Sequence, residues 1–138
     1  MRRLLLLAAL LALALAAASV PLEAASLPSA VPNCLGKPVV EPREVVLACA
    51  DAGLGMRSIH WLGWGGAVAA GVGTAYANDC TPTCAAGHFQ SFQGVLLLSG
   101  SQRCAGRLAY RTATVAIVGK PPEAWSTAAD ATYPLRCA

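Results

Sequence analysis

The sequence predicts an all-β fold: a small antiparallel β-sandwich or partly open barrel of about six strands, stapled by disulfides. Three observations carry that expectation. The cysteines, at positions 34, 49, 80, 84, 104 and 137, number six and all follow residue 25. An even set in a short chain reads as a disulfide framework. Short runs of period-2 alternation recur between Gly- and Pro-rich turns, and no segment reads convincingly as a helix.

Taken in order, the chain opens with Met1-Arg2-Arg3 and then runs from Leu4 to Val20 through Leu, Ala, Ser and Val only. That is the layout of a secretory signal peptide, assigned to residues 1–25, with small residues for cleavage before Ser19 or before Ser26. The alternative, an uncleaved anchor, is disfavoured because the run is Ala-rich, sits at the short edge of bilayer-spanning length and meets no positive stop-transfer cluster. A twin-arginine signal fits less well with so short an n-region. Val31-Pro32-Asn33 before Cys34 are not the small residues of a lipid-attachment site, so no stable membrane anchor is expected after cleavage.

Residues 26–42 carry Pro28, Pro32, Pro38 and Pro42, which excludes a regular helix and predicts an extended arm crossing a surface. Residues 43–138 follow as a single β domain. Arg43 to Cys49 puts Val45, Leu47 and Cys49 on one side of a short strand, and Asp51 to Gly55 is turn chemistry. Arg57 to Trp64 predicts a strand with Ile59 and Trp61 on one face and His60, Leu62 and Trp64 on the other. Ala67 to Ala77 is Ala/Gly/Val-rich, and a helix there would carry two internal glycines at about 1 kcal/mol each. A strand is preferred, with the bare Gly71/Gly73 face under Trp61 or Trp64. Gly87 to Ser99 and Gly106 to Val118 complete the long strands, with a bulge expected at Gly94 because Phe89 and Phe92 differ in parity. After Gly119-Lys120-Pro121-Pro122 and a polar loop holding Trp125, Thr132 to Cys137 supplies a short final strand. An immunoglobulin-like sandwich is one form such a set takes, and the sequence does not choose between it and a barrel.

Charge excludes one class of partner. The net charge is +3, and it falls to +2 once Arg2, Arg3 and Glu23 are set aside with the signal segment. So small an excess predicts no nucleic-acid binding. Six cysteines allow 15 pairings. Local proximity favours Cys34 with Cys49, Cys80 with Cys84 across Thr81-Pro82-Thr83, and Cys104 with Cys137.

Several stretches carry a resemblance: Leu47-Ala48-Cys49-Ala50-Asp51, Trp61-Leu62-Gly63-Trp64-Gly65, Gly71-Val72-Gly73, Asn78-Asp79-Cys80-Thr81-Pro82-Thr83-Cys84-Ala85-Ala86-Gly87, Cys104-Ala105-Gly106 and the terminal Cys137. Together they make the chain resemble a group of small secreted, disulfide-bonded actinobacterial proteins of unknown function. The resemblance implies a secreted, disulfide-bonded product, and it implies no active site, ligand or cofactor.

Candidate chemistry is thin. Cys80, Cys84, His60 and His88 could supply zinc ligands, but one Cys pair outside the cell forms a disulfide more readily, and the pair lacks the Cys-x-x-Cys spacing of a redox centre. His60 or His88 with Asp51 or Asp79 could make a base and its orienter, yet no Gly-x-Ser-x-Gly elbow accompanies them. The acids beyond residue 25 are too scattered for a glycosidase pair. Trp61, Trp64, Tyr76 and Trp125 could form an aromatic platform, although core packing is the blander role for two tryptophans of opposite parity. Arg103, Arg107 and Arg111 share a parity and could face an anionic polymer, or simply water. The expectation is therefore a secreted, non-enzymatic binding module without metal or cofactor, engaging a cell-wall component or extracellular protein, with Trp61, Trp64, Trp125, Arg107 and Arg111 as possible contacts. The alternatives are an inhibitor of an extracellular hydrolase, presenting the Cys80 to Gly87 loop, and a small secreted enzyme.

Overall fold

The computed structural model describes residues 26–119 and 132–138. The expected signal segment and the loop carrying Trp125 lie outside the described residues. Among the described residues ten strands are formed: β1 Val31–Pro32, β2 Pro38–Val39, β3 Glu44–Val46, β4 Leu54–Gly63, β5 Val68–Asn78, β6 Phe89–Ser99, β7 Gln102–Cys104, β8 Arg107–Ala109, β9 Thr112–Ile117 and β10 Thr132–Pro134. Six of them make one antiparallel sheet, in the order β10-β9-β6-β5-β4-β3, curled into a half-barrel. β1 with β2 and β7 with β8 form two small ribbons. The fold is thus all-β and partly open, and the cysteines pair as Cys34–Cys49, Cys80–Cys84 and Cys104–Cys137. In the chain-entropy account, the closures spanning 15 and 33 residues each stabilise the domain, by about 3–4 kcal/mol.

The sheet is centred on β5 and β6, which pair without interruption from Val68↔Ser99 to Asn78↔Phe89. Alternation then sorts their side chains. Ala69, Ala75, Leu96 and Leu98, joined by Ala113 and Val115 of β9, are at most 1 % exposed and form the concave face. The alanine- and glycine-rich run is a strand because its small side chains let large ones close over it. A Cβ on Gly71 would lie 2.7 Å from Ile59 Cγ2 and 3.0 Å from Trp61 Cε3.

The expected bulge is elsewhere. At Gly94 the ladder continues on both sides, to Gly73 and to Ile117. The interruptions fall in β4, between Arg57 and His60 and again between Trp61 and Gly63. At the first, Ser58 adopts φ +53°, an uncommon conformation for a residue with a Cβ. The second shifts parity, so Trp64 does not turn to the opposite face from Trp61. Both indoles are half-buried against the core, with centroids 4.5 Å apart and edge to face.

A curled sheet with one apolar face needs a cover, and no helix supplies it among the described residues. The proline-rich arm does, with Pro28, Ala30, Val31 and Pro32 buried rather than merely crossing the surface. Trp64 Nε1 donates to Ser29 O (3.2 Å) and Trp61 Nε1 to Pro42 O (3.0 Å), tying the arm at both ends. Tyr110 packs edge to face against Trp64, with centroids 5.5 Å apart, and donates its hydroxyl to Gly66 O. The predicted strand from Gly106 to Val118 is accordingly broken at Tyr110–Arg111, where the chain crosses from the β7–β8 ribbon into the sheet. There Ser29 N donates to Leu108 O and Tyr110 N to Ala30 O, so the arm is hydrogen-bonded as well as packed.

The assignment of faces can be tested directly. Met56→Ala, at a position with no exposed surface, is expected to lower unfolding free energy by about 2–5 kcal/mol. Val72→Thr, on the outer face at 37 % exposure, is expected to change it by less than about 0.5 kcal/mol. Urea denaturation of both variants reads the difference.

Candidate functional site

Among the described residues, the connection between β5 and β6 is an exposed segment held by several side-chain hydrogen bonds and a disulfide. It contains no charged residue between Cys80 and Gly87, and Thr81 through Ala86 are all exposed. Its backbone is held by side chains at its base. Asn78 Oδ1 accepts from Cys80 N at 2.9 Å while Asn78 Nδ2 donates to Cys84 O at 2.8 Å, so one amide spans both ends of the loop. Asp79 Oδ1 accepts from Thr81 N (3.1 Å) and from His88 N (2.9 Å). Thr81 Oγ1 donates to Asp79 O, and Thr83 Oγ1 accepts from Ala86 N. These are the local turns that short polar side chains form with their own backbone. The Cys80–Cys84 bridge closes the loop and the Thr81–Pro82 peptide within it is cis. Gly87 is required by close approach: a Cβ there would collide with Asn78 Oδ1 and lie 2.8 Å from Asp79 Oδ1.

The base of the loop is joined to the turn before β4. Asn78 N donates to Gly53 O (2.7 Å), and Gly53 N donates to Asp51 Oδ1 (2.9 Å). Beside it Phe89, 56 % exposed, stands edge-on to the buried Tyr76 ring at 5.9 Å. Tyr76 donates to Glu44 Oε1 and lies under the Arg57 guanidinium, 5.5 Å from the ring centroid. Burial, reinforced by the Glu44 hydrogen bond and charge, pushes the Tyr76 phenol up to about 12. Asp79 moves the other way: the amides of His88 and Thr81 hold its carboxyl below the ordinary aspartate value.

The residues singled out in the sequence are dispersed. Trp61 and Trp64 are core-facing anchors of the arm, Tyr76 is buried on the other side of the sheet, and Trp125 lies outside the described residues. Trp61, Trp64 and Tyr76 make no shared platform. Arg103 and Arg107 oppose Leu108 and Cys104 in the β7–β8 ribbon, so they leave its two faces, and Arg111 lies past the crossing. His88 Nδ1 is 3.9 Å from Asp79 Oδ2, beyond hydrogen-bond reach, with its ring 84 % exposed. His60 sits on the outer face opposite Val72. What the sequence reading missed is the role of Asn78 and Asp79 in bracing the loop's backbone. Two consecutive Asx residues directly before a cysteine and a turn were the signal.

A second concavity, an open cleft of about 350 Å³ between the arm and β3, is lined by Val31, Pro32, Leu35, Val39, Pro42 and Val45. It is mostly apolar, and its polar lining residues are already engaged, Asn33 Oδ1 accepting from Leu35 N and Lys37 N and Glu44 Oε1 from the Tyr76 hydroxyl. No family model, curated protein or solved structure matches the chain.

Because Asp79 has a depressed folded-state pKa, the order it confers is present above the unfolded aspartate value and is lost as pH falls through the lower folded value. In an NMR pH titration, the Thr81 and His88 amides are expected to shift together in an acid step below the ordinary aspartate range. Asp79→Asn is expected to abolish that shared step.

Proposed function

We propose that this protein is an exported, non-enzymatic binding module that meets a cell-wall component or an extracellular protein through the loop from Asp79 to His88. The observation that carries the reading is the organisation of that loop. It is fully exposed from Thr81 to Ala86, yet its backbone is fixed by Asn78, Asp79, Thr83 and a disulfide. A loop already held in one conformation loses little ordering entropy on binding, which is where much of the gross contact energy is otherwise spent. Export is supported by the Arg2-Arg3 and Leu/Ala-rich opening and by three disulfides. Among the described residues no helix is long and apolar enough to cross a membrane. The resemblance to secreted actinobacterial proteins points the same way.

The same loop favours a second reading, inhibition of an extracellular hydrolase, in which Thr81 to Ala86 would occupy the enzyme's cleft. Rigid, disulfide-closed loops suit this role because they resist the distortion that cleavage requires.

Capture on immobilised protein, from cell-wall fractions and culture supernatants, tests the first reading. The parent is expected to retain a partner, and Ala85→Arg, which adds bulk and charge at an exposed position, is expected to weaken retention at least tenfold with the fold unchanged. Retention of nothing by the parent rejects the module, and equal retention by the variant rejects the loop as its contact. Undiminished activity of a panel of secreted proteases and glycosidases, with the protein in excess, rejects inhibition.

A further inference from the structure

We propose that Asp51, Cys80 and Cys84 form a redox-gated site for a soft or borderline divalent cation of the zinc type, closed by the disulfide and opened by reduction. Among the described residues these three make the one group of His, Cys, Asp or Glu side chains whose ligand atoms converge, all within 4.8 Å of one another. The zinc set suggested by the sequence, with His60 and His88, is not assembled. The third ligand comes instead from a carboxylate 29 residues before Cys80, brought in by the turn at the start of β4.

Hydrogen bonds hold the three residues together in addition to the sulfur–sulfur bond. Asn78 bonds both cysteine residues through their backbone, at Cys80 N and Cys84 O, and its own amide holds the Asp51 turn through Gly53 O. Asn78 therefore bonds both cysteine residues directly and the Asp51 turn through Gly53. Gly53 N engages Asp51 Oδ1, leaving Oδ2 for a cation. Asp51 and Cys84 are exposed and Cys80 is half-buried, which provides the entry path.

The chemistry balances as follows. Two molecules of a low-molecular-weight thiol, or one dithiol, give two electrons and two protons to the Cys80–Cys84 bond, which breaks to two thiols as the reductant becomes a disulfide. The cation then displaces one proton from each thiol and binds two thiolates and the Asp51 carboxylate. Tetrahedral zinc, with Zn–S bonds of about 2.3 Å, requires its sulfurs roughly 3.7 Å apart, so the bond must open before the cation enters. A water completes the fourth position, as in sites that keep one position open. Thiolates select zinc-type ions over magnesium or calcium, which take oxygen ligands.

The probe is Co²⁺, whose thiolate charge-transfer absorption reports sulfur ligation. The oxidised full chain is expected to show no such band. After reduction by a non-coordinating phosphine, the band is expected to rise to one Co²⁺ per chain above the signal of a Cys80→Ser/Cys84→Ser variant treated identically, which subtracts any contribution of the other four cysteines. Asp51→Asn keeps both sulfurs and the disulfide, and is expected to weaken Co²⁺ at least tenfold. No difference between reduced parent and double variant overturns the site. Undiminished affinity in Asp51→Asn overturns the carboxylate ligand, and with it the assembly proposed. Neither result bears on partner capture by the oxidised loop.

Discussion

The structure rests on one constraint: a curled six-stranded sheet with a single apolar face must cover that face, and among the described residues there is no helix to do it. The cover is a stretch of irregular, proline-rich chain, which cannot pair its backbone into the sheet along its length. Its burial is possible because the two indoles and the phenol at the sheet's mouth supply both apolar surface and donors. Trp61 and Trp64 offer N–H groups to Pro42 and Ser29, while Tyr110 presses on Trp64 and bonds to Gly66. Buried carbonyls left without donors would cost on the order of 1–3 kcal/mol each. No buried side-chain polar atom is left unpaired among the described residues.

The same economy of small means governs the β5–β6 loop. An uncharged, exposed connection of this length has few apolar contacts to hold it. Its order comes from Asn78 and Asp79, whose short side chains substitute for the missing ladder, and from a cysteine pair that closes it. The sheet below contributes position rather than contact: Asn78 is the last residue of the long uninterrupted β5–β6 pairing, so the loop leaves directly from the end of that ladder. Recognition and metal binding would then draw on one scaffold in two oxidation states.

Much of the fold was legible. The cysteine count, the Gly/Pro punctuation and the alternation gave an all-β, disulfide-stapled domain, and Gly71 under Trp61 was readable because only a residue without Cβ fits there. The parts not legible share a cause. Period-2 reading assumes an unbroken ladder, and the irregularities in β4 put Trp64 beside Trp61 where parity placed them apart. The expected alignment of Arg103, Arg107 and Arg111 failed similarly, since a tight ribbon turn at Ala105–Gly106 lies between the first two. The prolines were read as excluding a helix and giving an extended arm across a surface, which did not reveal that Pro32 and Pro38 pair in a two-residue ribbon, where few backbone donors are needed. At the candidate site, the cysteine loop was visible from spacing, whereas its contact with Asp51 was not, because that contact is made only by pairing across the sheet.

The placement of the arm also sets an order of events. Val31, near the start of the described chain, and Leu135, near its end, belong to the same core cluster, and Cys104 is bonded to Cys137. A chain emerging from its N-terminus therefore exposes the arm first; its β1–β2 ribbon and its bonds to Trp61 and Trp64 use early chain, whereas Ser29 and Ala30 wait for Leu108 and Tyr110, and the core around Val31 waits for Leu135. Native contacts of such sequence separation close late and slowly. The interval before they close is when thiols are free to find the wrong partner, and the short spacing of Cys80 and Cys84 is the arrangement least exposed to that error.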